Sequence, residues 1–163
     1  MIFEQLIRQD LMAAAKAALP ALKLDGTSEP AQAQVFLVAR DFDRTNPRSY
    51  RVGFGGSPLQ MTVAKVTADV TVTAELAIGA EAQIDLEPLL AALLDTHSLL
   101  WNWRGNEMRV ERTLARTRLA DAKTALRESI YVTYTAPYFK LRDLPVIADA
   151  SWFDDWHYKV EVP

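Results

Sequence analysis

The longest regular pattern in the chain is a two-residue alternation of apolar and polar positions over residues 59–78. Apolar side chains occupy odd positions as far as Val63 and even positions from Val66 onward. Alternation of this kind, rich in Val and Thr, is typical of a β-strand with one face in the core. The change of phase predicts a β-bulge or a sharp bend near Lys65. We therefore expect one long bent strand here, with a half-exposed polar face.

Two segments instead repeat apolar residues at the spacing of an α-helix. Residues 2–19 are rich in Ala and are followed by Pro20, which cannot continue a helix. Residues 85–100 have Pro88 near the first turn and a core face of Leu89, Leu90, Leu93 and Leu94 at helical spacing. Both segments predict amphipathic helices that bury one face against the sheet.

Shorter runs predict the remaining strands, because they are apolar throughout or alternate: residues 34–40, 50–54, 107–114 and 129–135. Residues 41–49 contain Asp, Asn and Pro and predict a loop. Residues 101–106 predict a turn, and Pro137 is expected to close the last strand.

This order of elements predicts the α+β class. We expect a mainly antiparallel sheet with a long bent strand, packed by two or three helices, plus a C-terminal extended arm. The total of 163 residues fits one domain, which we expect over residues 1–136. Residues 137–163 are expected to form an aromatic-rich arm that packs on the core or on a neighbouring subunit. Its anchors would be Trp152, Phe153 and Trp156.

The composition limits the binding partners, the reactive groups and the cellular compartment that we expect for this chain. The net charge is −3, so general attraction to nucleic acid or to anionic membranes is not expected. Cysteine is absent, which excludes disulfides, thiolate metal sites and cysteine nucleophiles. The sequence has no signal-peptide pattern and no apolar run of about 20 residues. We therefore expect no membrane contact and assembly in the cytoplasm.

Charges are separated along the chain. Residues 66–103 contain no Lys or Arg but six acids, namely Asp69, Glu75, Glu81, Asp85, Glu87 and Asp95. Residues 104–127 contain seven bases and three acids, the bases being Arg104, Arg109, Arg112, Arg116, Arg118, Lys123 and Arg127. Local ion pairs on a solvated face are one explanation, each contributing little. The other is a self-associating ring in which the acidic side of one copy meets the basic side of the next. The candidate contacts are Asp69, Glu75, Arg109, Arg112, Arg116 and Arg118.

The search for catalytic, cofactor and metal residues predicts none. Only His97 and His157 are present, and no Gly-x-Ser-x-Gly motif supplies a nucleophile. Residues 154–157, Asp-Asp-Trp-His, are adjacent, so we expect their side chains to point in different directions, and no second cluster in the sequence supplies further ligands. Residues 53–56, Gly-Phe-Gly-Gly, lack the Lys-Ser/Thr ending and the following helix of nucleotide-binding loops. A small enzyme joining a histidine to carboxylates in a pocket remains an alternative.

A second alternative is an adaptor that binds nucleic acid through residues 104–127. The four arginines between Arg109 and Arg118 lack the interleaved aromatic residues common in such modules. This alternative therefore ranks behind a structural protein and behind a small enzyme.

The order of elements carries a resemblance. A helix and an early strand lead into the long strand through Val-Thr-Val-Thr-Ala at residues 70–74. A Leu-rich helix follows, and a strand pair ends in Ser-Ile-Tyr-Val-Thr-Tyr at residues 129–134. Over residues 1–136 this resembles the tail terminator, or tail-completion, proteins of long-tailed bacteriophages and the related small neck and minor tail proteins.

The resemblance implies a structural virion protein and no enzyme. It implies a ring, usually a hexamer, that ends the tail tube, contacts the tube protein and joins it to the head-completion proteins of the neck. DNA would pass through the lumen without specific binding. An acidic lumen would suit this passage, because adsorption of DNA needs cations. A head–tail joining or baseplate component is the alternative within the same class.

Overall fold

Seven helices and strands follow one another in the computed structural model, which describes residues 2–24, 31–54, 60–103, 106–120 and 123–145. Their order confirms the α+β class. The elements are α1 (Ile2–Ala18), β1 (Ala33–Phe54), β2 (Gln60–Gly79), α2 (Glu87–Asp95), β3 (Ser98–Trp103), β4 (Asn106–Leu119) and β5 (Leu126–Pro145).

The strands form one five-stranded sheet in the order β1-β2-β5-β4-β3. Every neighbouring pair of strands is antiparallel. Strand β1 pairs with β2, the next strand in the sequence. In the same way β3 pairs with β4, and β4 pairs with β5. Pairing of β2 with β5 in the centre joins the two groups, and α2 lies between them in the sequence.

Both helices pack on the same face of the sheet. Each buries one apolar stripe against it. In α1 the buried residues Phe3, Ile7, Leu11 and Ala15 recur every four positions. In α2 the buried residues are Leu89 and Leu93. These stripes meet the buried side chains of the sheet, which include Val35, Val70, Val72, Leu76, Val110, Ile130 and Val132. Burial of each large aliphatic side chain contributes about 1.5–3 kcal/mol.

The expected bend in β2 is present. Thr67 has no partner in β5, where Val66 pairs with Phe139 and Ala68 pairs with Tyr138. The β1 register also shifts at this level, between Arg44 and Arg48. The bulge therefore lies two residues beyond Lys65, and it confirms the long bent strand.

The buried positions before the bulge differ from those expected. Thr62 and Ala64 are buried, whereas Val63 is only half-buried; Val66 is buried, as expected. Ala64 packs with Met108 in a second, smaller core cluster, against which Trp101 and Phe139 also pack. The far parts of β2 and β5 thus contact the β3–β4 hairpin through this cluster.

Several local expectations were wrong because strand pairing overrides local propensity. Residues 41–49, expected as a loop, lie within β1, and Pro47 falls in the stretch that skips a partner in β2. Residues 98–103, expected as helix and turn, form β3, and α2 ends at Asp95.

Pro137 does not end β5, which continues as a strand to Pro145. The last pair between β4 and β5 is Glu111 with Thr135. Beyond this pair β4 no longer borders β5. Pro137 has no backbone N–H to donate, but β4 offers no carbonyl at this level that would need one. The sheet therefore includes residues 137–145, which the sequence assigned to the arm.

A buried polar cluster ties α1 to the sheet. The carboxylate Oδ2 of Asp10 accepts a hydrogen bond of 2.9 Å from Arg112 Nη1 and another of 2.9 Å from the hydroxyl of Tyr134. Arg112 is 6% exposed and Tyr134 is fully buried. Burial raises the pKa of Tyr134 well above its usual range, and the negative charge of Asp10 raises it further.

Replacement of Arg112 by Met should lower the free energy of unfolding by about 2–4 kcal/mol, because Asp10 would keep a largely buried charge without its partner. Urea titration followed by circular dichroism measures this change. The matched control is Arg109→Met, an exposed position on the same strand, which should change the value by no more than about 0.5 kcal/mol. Equal effects of the two substitutions would contradict a structural role for the cluster.

Tyr134 should make stability fall at high pH. Its pKa is higher in the folded than in the unfolded chain, so its contribution is complete below pH about 10 and is lost as the pH rises further. Urea midpoints from pH 7 to 11 should therefore decline more steeply above pH about 10 in the wild type than in Tyr134→Phe. Parallel curves for the two proteins would rule out this linkage.

Candidate assembly surface

The sheet face that points away from α1 and α2 is the open face. No helix or strand among the described residues covers it. Its side chains alternate with the core residues, as in β2, where Thr71, Thr73 and Glu75 alternate with Val72 and Ala74. The open face comprises Phe36, Ala39 and Asp41 of β1, Asp69, Thr71, Thr73 and Glu75 of β2, Tyr131, Thr133 and Thr135 of β5, and Arg109, Glu111, Thr113, Arg116 and Arg118 of β4.

Threonines occupy the middle of the open face on three adjacent strands. Thr71 and Thr135 are paired across β2 and β5, and their hydroxyl oxygens are 2.9 Å apart. The Thr133 hydroxyl donates to the backbone carbonyl of Thr113 over 3.3 Å. These hydroxyls therefore have partners within the sheet, while their methyl groups remain as contact surface.

One cross-strand row joins residues of opposite charge. The hydroxyl of Tyr131 donates to Glu75 Oε1 over 3.1 Å, and the Arg116 guanidinium lies 4.6 Å from the centroid of the Tyr131 ring. Tyr131 thus links an acid of β2 to a base of β4. A small pocket at this end of the open face is lined partly by Glu75, Arg118 and Tyr131.

The structure brings five of the predicted contact residues to the open face. Asp69 and Glu75 are on β2, whereas Arg109, Arg116 and Arg118 are on β4, with β5 between the two strands. The acidic and basic segments of the sequence therefore share one face, with the acids toward one side of the sheet and the bases toward the other. A lumen lined by this whole face would carry charges of both signs, and not acids alone.

Arg112, the sixth charged candidate, lies elsewhere. Its side chain is on the helix face, buried with Asp10 and Tyr134, so it is not part of the exposed surface. The sequence contained the signal, because Arg112 is in phase with the buried residues Met108 and Val110. Arg127, another base of the same segment, donates to the backbone carbonyls of Ala82 and Ile84 at 2.5 and 2.6 Å. Trp152, Phe153 and Trp156 lie outside the described residues.

Of the two histidines, the structure describes His97 alone. His97 is exposed, two residues beyond the end of α2, and its backbone carbonyl accepts from the N–H of Arg112. Within the described residues no three His, Asp or Glu side chains gather as metal ligands do. Residues 154–157 and Gly55 and Gly56 are outside that part. Among the described helices, none is long and apolar enough to cross a membrane.

The two sides of the described sheet expose strand edges that the sequence pattern does not indicate. In the described structure β1 pairs with a strand on one side only, and residues 113–119 of β4 pair only with β5. Large apolar side chains are exposed near both edges, namely Phe36, Val38 and Phe42 in β1 and Leu119 in β4. The β1 edge was not predicted because residues 41–49, which belong to β1, have the composition of a loop.

Comparison of the chain with protein-family models, with curated proteins and with solved structures finds no match. The resemblance to phage tail terminators therefore stays an expectation from the order of elements. Any inference about function rests on the geometry of the open face and the two strand edges.

Arg116 and Tyr131 should be energetically coupled. A double-mutant cycle with Arg116→Ala and Tyr131→Leu should give a coupling energy of about 0.5–1 kcal/mol in urea titrations, because the guanidinium contacts the ring face. The control cycle pairs Arg109→Ala with Tyr131→Leu and should be additive within about 0.5 kcal/mol. Additivity in both cycles would mean that the contact does not contribute.

Proposed function

We propose that the chain is a structural virion protein that forms a ring, ends the tail tube of a long-tailed bacteriophage and joins it to the head-completion proteins. Its partners would be further copies of itself, the tube protein and the neck proteins. Six copies would form the ring, as the resemblance implies. Assembly would take place in the host cytoplasm.

The observation that carries this proposal is the arrangement of charge and strand edges across the open face, which no described helix or strand covers. Acids lie toward the β1 side and bases toward the free part of β4, so the two sides of a subunit are complementary. A contact between different surfaces of identical subunits leads to rings or filaments, according to whether the rotation closes. The order of helices and strands gives independent support through its resemblance to tail terminators.

A head–tail joining or baseplate component would use the same subunit contacts and differ in its neighbours. Passage of DNA through the lumen requires that the ring does not hold the duplex. In a lumen lined by the open face, the threonines and acids would attract DNA only weakly. Arg109, Arg116 and Arg118 would attract it more strongly. Binding of a fluorescent DNA duplex at about 150 mM salt, and its salt dependence, would measure the balance.

The purified chain should form rings of uniform size. Light scattering should give a mass near six subunits, and electron micrographs should show a ring with a central opening. Phage particles made without this chain should carry tail tubes of irregular, excessive length, because nothing would stop tube growth. Tubes of normal length that fail only to join heads would instead favour a head–tail joining protein. Purified chains that stay monomeric would contradict the ring.

A further inference from the structure

We infer that copies of this chain join by pairing the β1 edge of one subunit with the β4 edge of the next, so that the sheet continues from subunit to subunit. The β1 edge is residues 36–44, and the β4 edge is residues 113–119. This inference rests on the proposed function in taking a ring as the assembly, but it names the contact that would build one.

The two edges begin where internal contacts stop. At the start of β1, Leu24 bridges to Ala33, and Arg8 Nη1 donates to the Val35 carbonyl over 2.6 Å. On β4, strand β3 pairs as far as Glu111, and the N–H of Arg112 donates to the His97 carbonyl over 2.8 Å. Beyond these points, β1 and β4 each have a strand neighbour on one side only within the described structure.

Unpaired strand edges present rows of N–H and C=O groups that pair readily with another strand. Proteins usually protect such edges with charges, prolines or bulges, and β1 does contain an irregularity at Val38. Yet Phe36 is 45% exposed, Val38 48% and Phe42 52%. An edge with three large exposed apolar side chains is suited to contact with protein.

Charge on the open face identifies another copy as the partner. Asp41 and Asp43 alternate with Phe42 and so lie on the same side of β1, and both are exposed. Arg116 and Arg118 are exposed on the open side of β4, and the β4 edge contains no acid. Edge pairing places these acids and bases on one continuous face.

The bases on the helix side of β1 offset little of the negative charge of Asp41 and Asp43. Arg40 forms an ion pair with Glu4 of α1, which leaves Arg44 as the remaining base of the β1 edge. The exposed apolar side chains on the two edges, with Leu119 at the end of β4, add burial to the contact.

Strand direction suits the same contact. Three successive antiparallel pairings separate β1 from β4, so the two strands run in opposite directions. A second copy in the same orientation would therefore continue the sheet as an antiparallel pair. Because the edges lie on opposite sides of the sheet, each copy would use both, and a closed ring would leave neither exposed.

Paired variants with one damaged edge test this arrangement. The β1-edge variant carries Phe36→Lys and Val38→Lys, and the β4-edge variant carries Arg116→Glu and Arg118→Glu, all at exposed positions. Each variant alone should be monomeric by light scattering. An equal mixture should form one-to-one heterodimers, because each partner keeps the edge that the other has lost. The control Leu94→Lys, an exposed apolar position on α2, should assemble like the wild type.

Chemical cross-linking gives a second measurement, and the absence of natural cysteine makes it selective. A chain with both Val38→Cys and Thr117→Cys, treated with a flexible bismaleimide, should give a ladder of covalent oligomers. Each single cysteine variant should stay at the monomer band, because the inferred contact never brings two identical edges together. Urea midpoints near that of the wild type establish that the variants fold.

The outcomes separate this inference from the proposed function. Rings that persist in both edge variants overturn edge pairing alone, whereas a wild type that is always monomeric overturns both proposals. Edge-dependent rings with normal tail length in phage lacking the chain would contradict the tail function only. An efficient cross-link from Val38→Cys to Val160→Cys within one chain would show that the C-terminal segment occupies the β1 edge, and edge pairing would then be wrong.

Discussion

The rest of the fold depends on the pairing of β2 with β5. These two 20-residue strands are adjacent in the sheet although they lie far apart in the sequence. Without this pairing the β1–β2 hairpin and the three later strands would be separate small sheets, each with little core of its own. Both strands contribute fully buried residues to the surface beneath the helices, including Val72 and Leu76 from β2 and Ile130 and Val132 from β5. The cost of closing so long a loop is offset only when this shared core forms.

The cluster of Asp10, Arg112 and Tyr134 adds specificity to this core. Apolar contacts alone leave α1 some freedom to slide over the sheet, because aliphatic packing is not directional. Two hydrogen bonds from different strands to one carboxylate oxygen allow a single placement of the helix. Such a cluster tolerates the loss of one member poorly, since the remaining buried charge then lacks its partner.

Much of the fold could be predicted from the sequence, and the failures have physical causes. Both helices and the bend in β2 were readable because apolar periodicity reports burial directly. Residues 41–49 and 98–103 were misassigned because their strand character comes from partners distant in the sequence. The site was predicted in part: residue charge identified the surface candidates, but only the alternation around Arg112 could have shown that it points inward. Strand order, which decides what is an edge, has no local signal in the sequence.

The pairing of β4 with β5 ends near Pro137, and this affects how the lengths of the strands can change in evolution. Beyond that level the described part of the sheet consists of β1, β2 and β5, and it packs mainly in the smaller cluster of Ala64 and Met108. Side chains along a strand repeat every two residues, so matched insertions or deletions of two residues in all three strands keep every side chain on its face. Natural selection can thus change the length of the three-stranded extension beyond the Ala64–Met108 cluster while the helix-covered core keeps its packing.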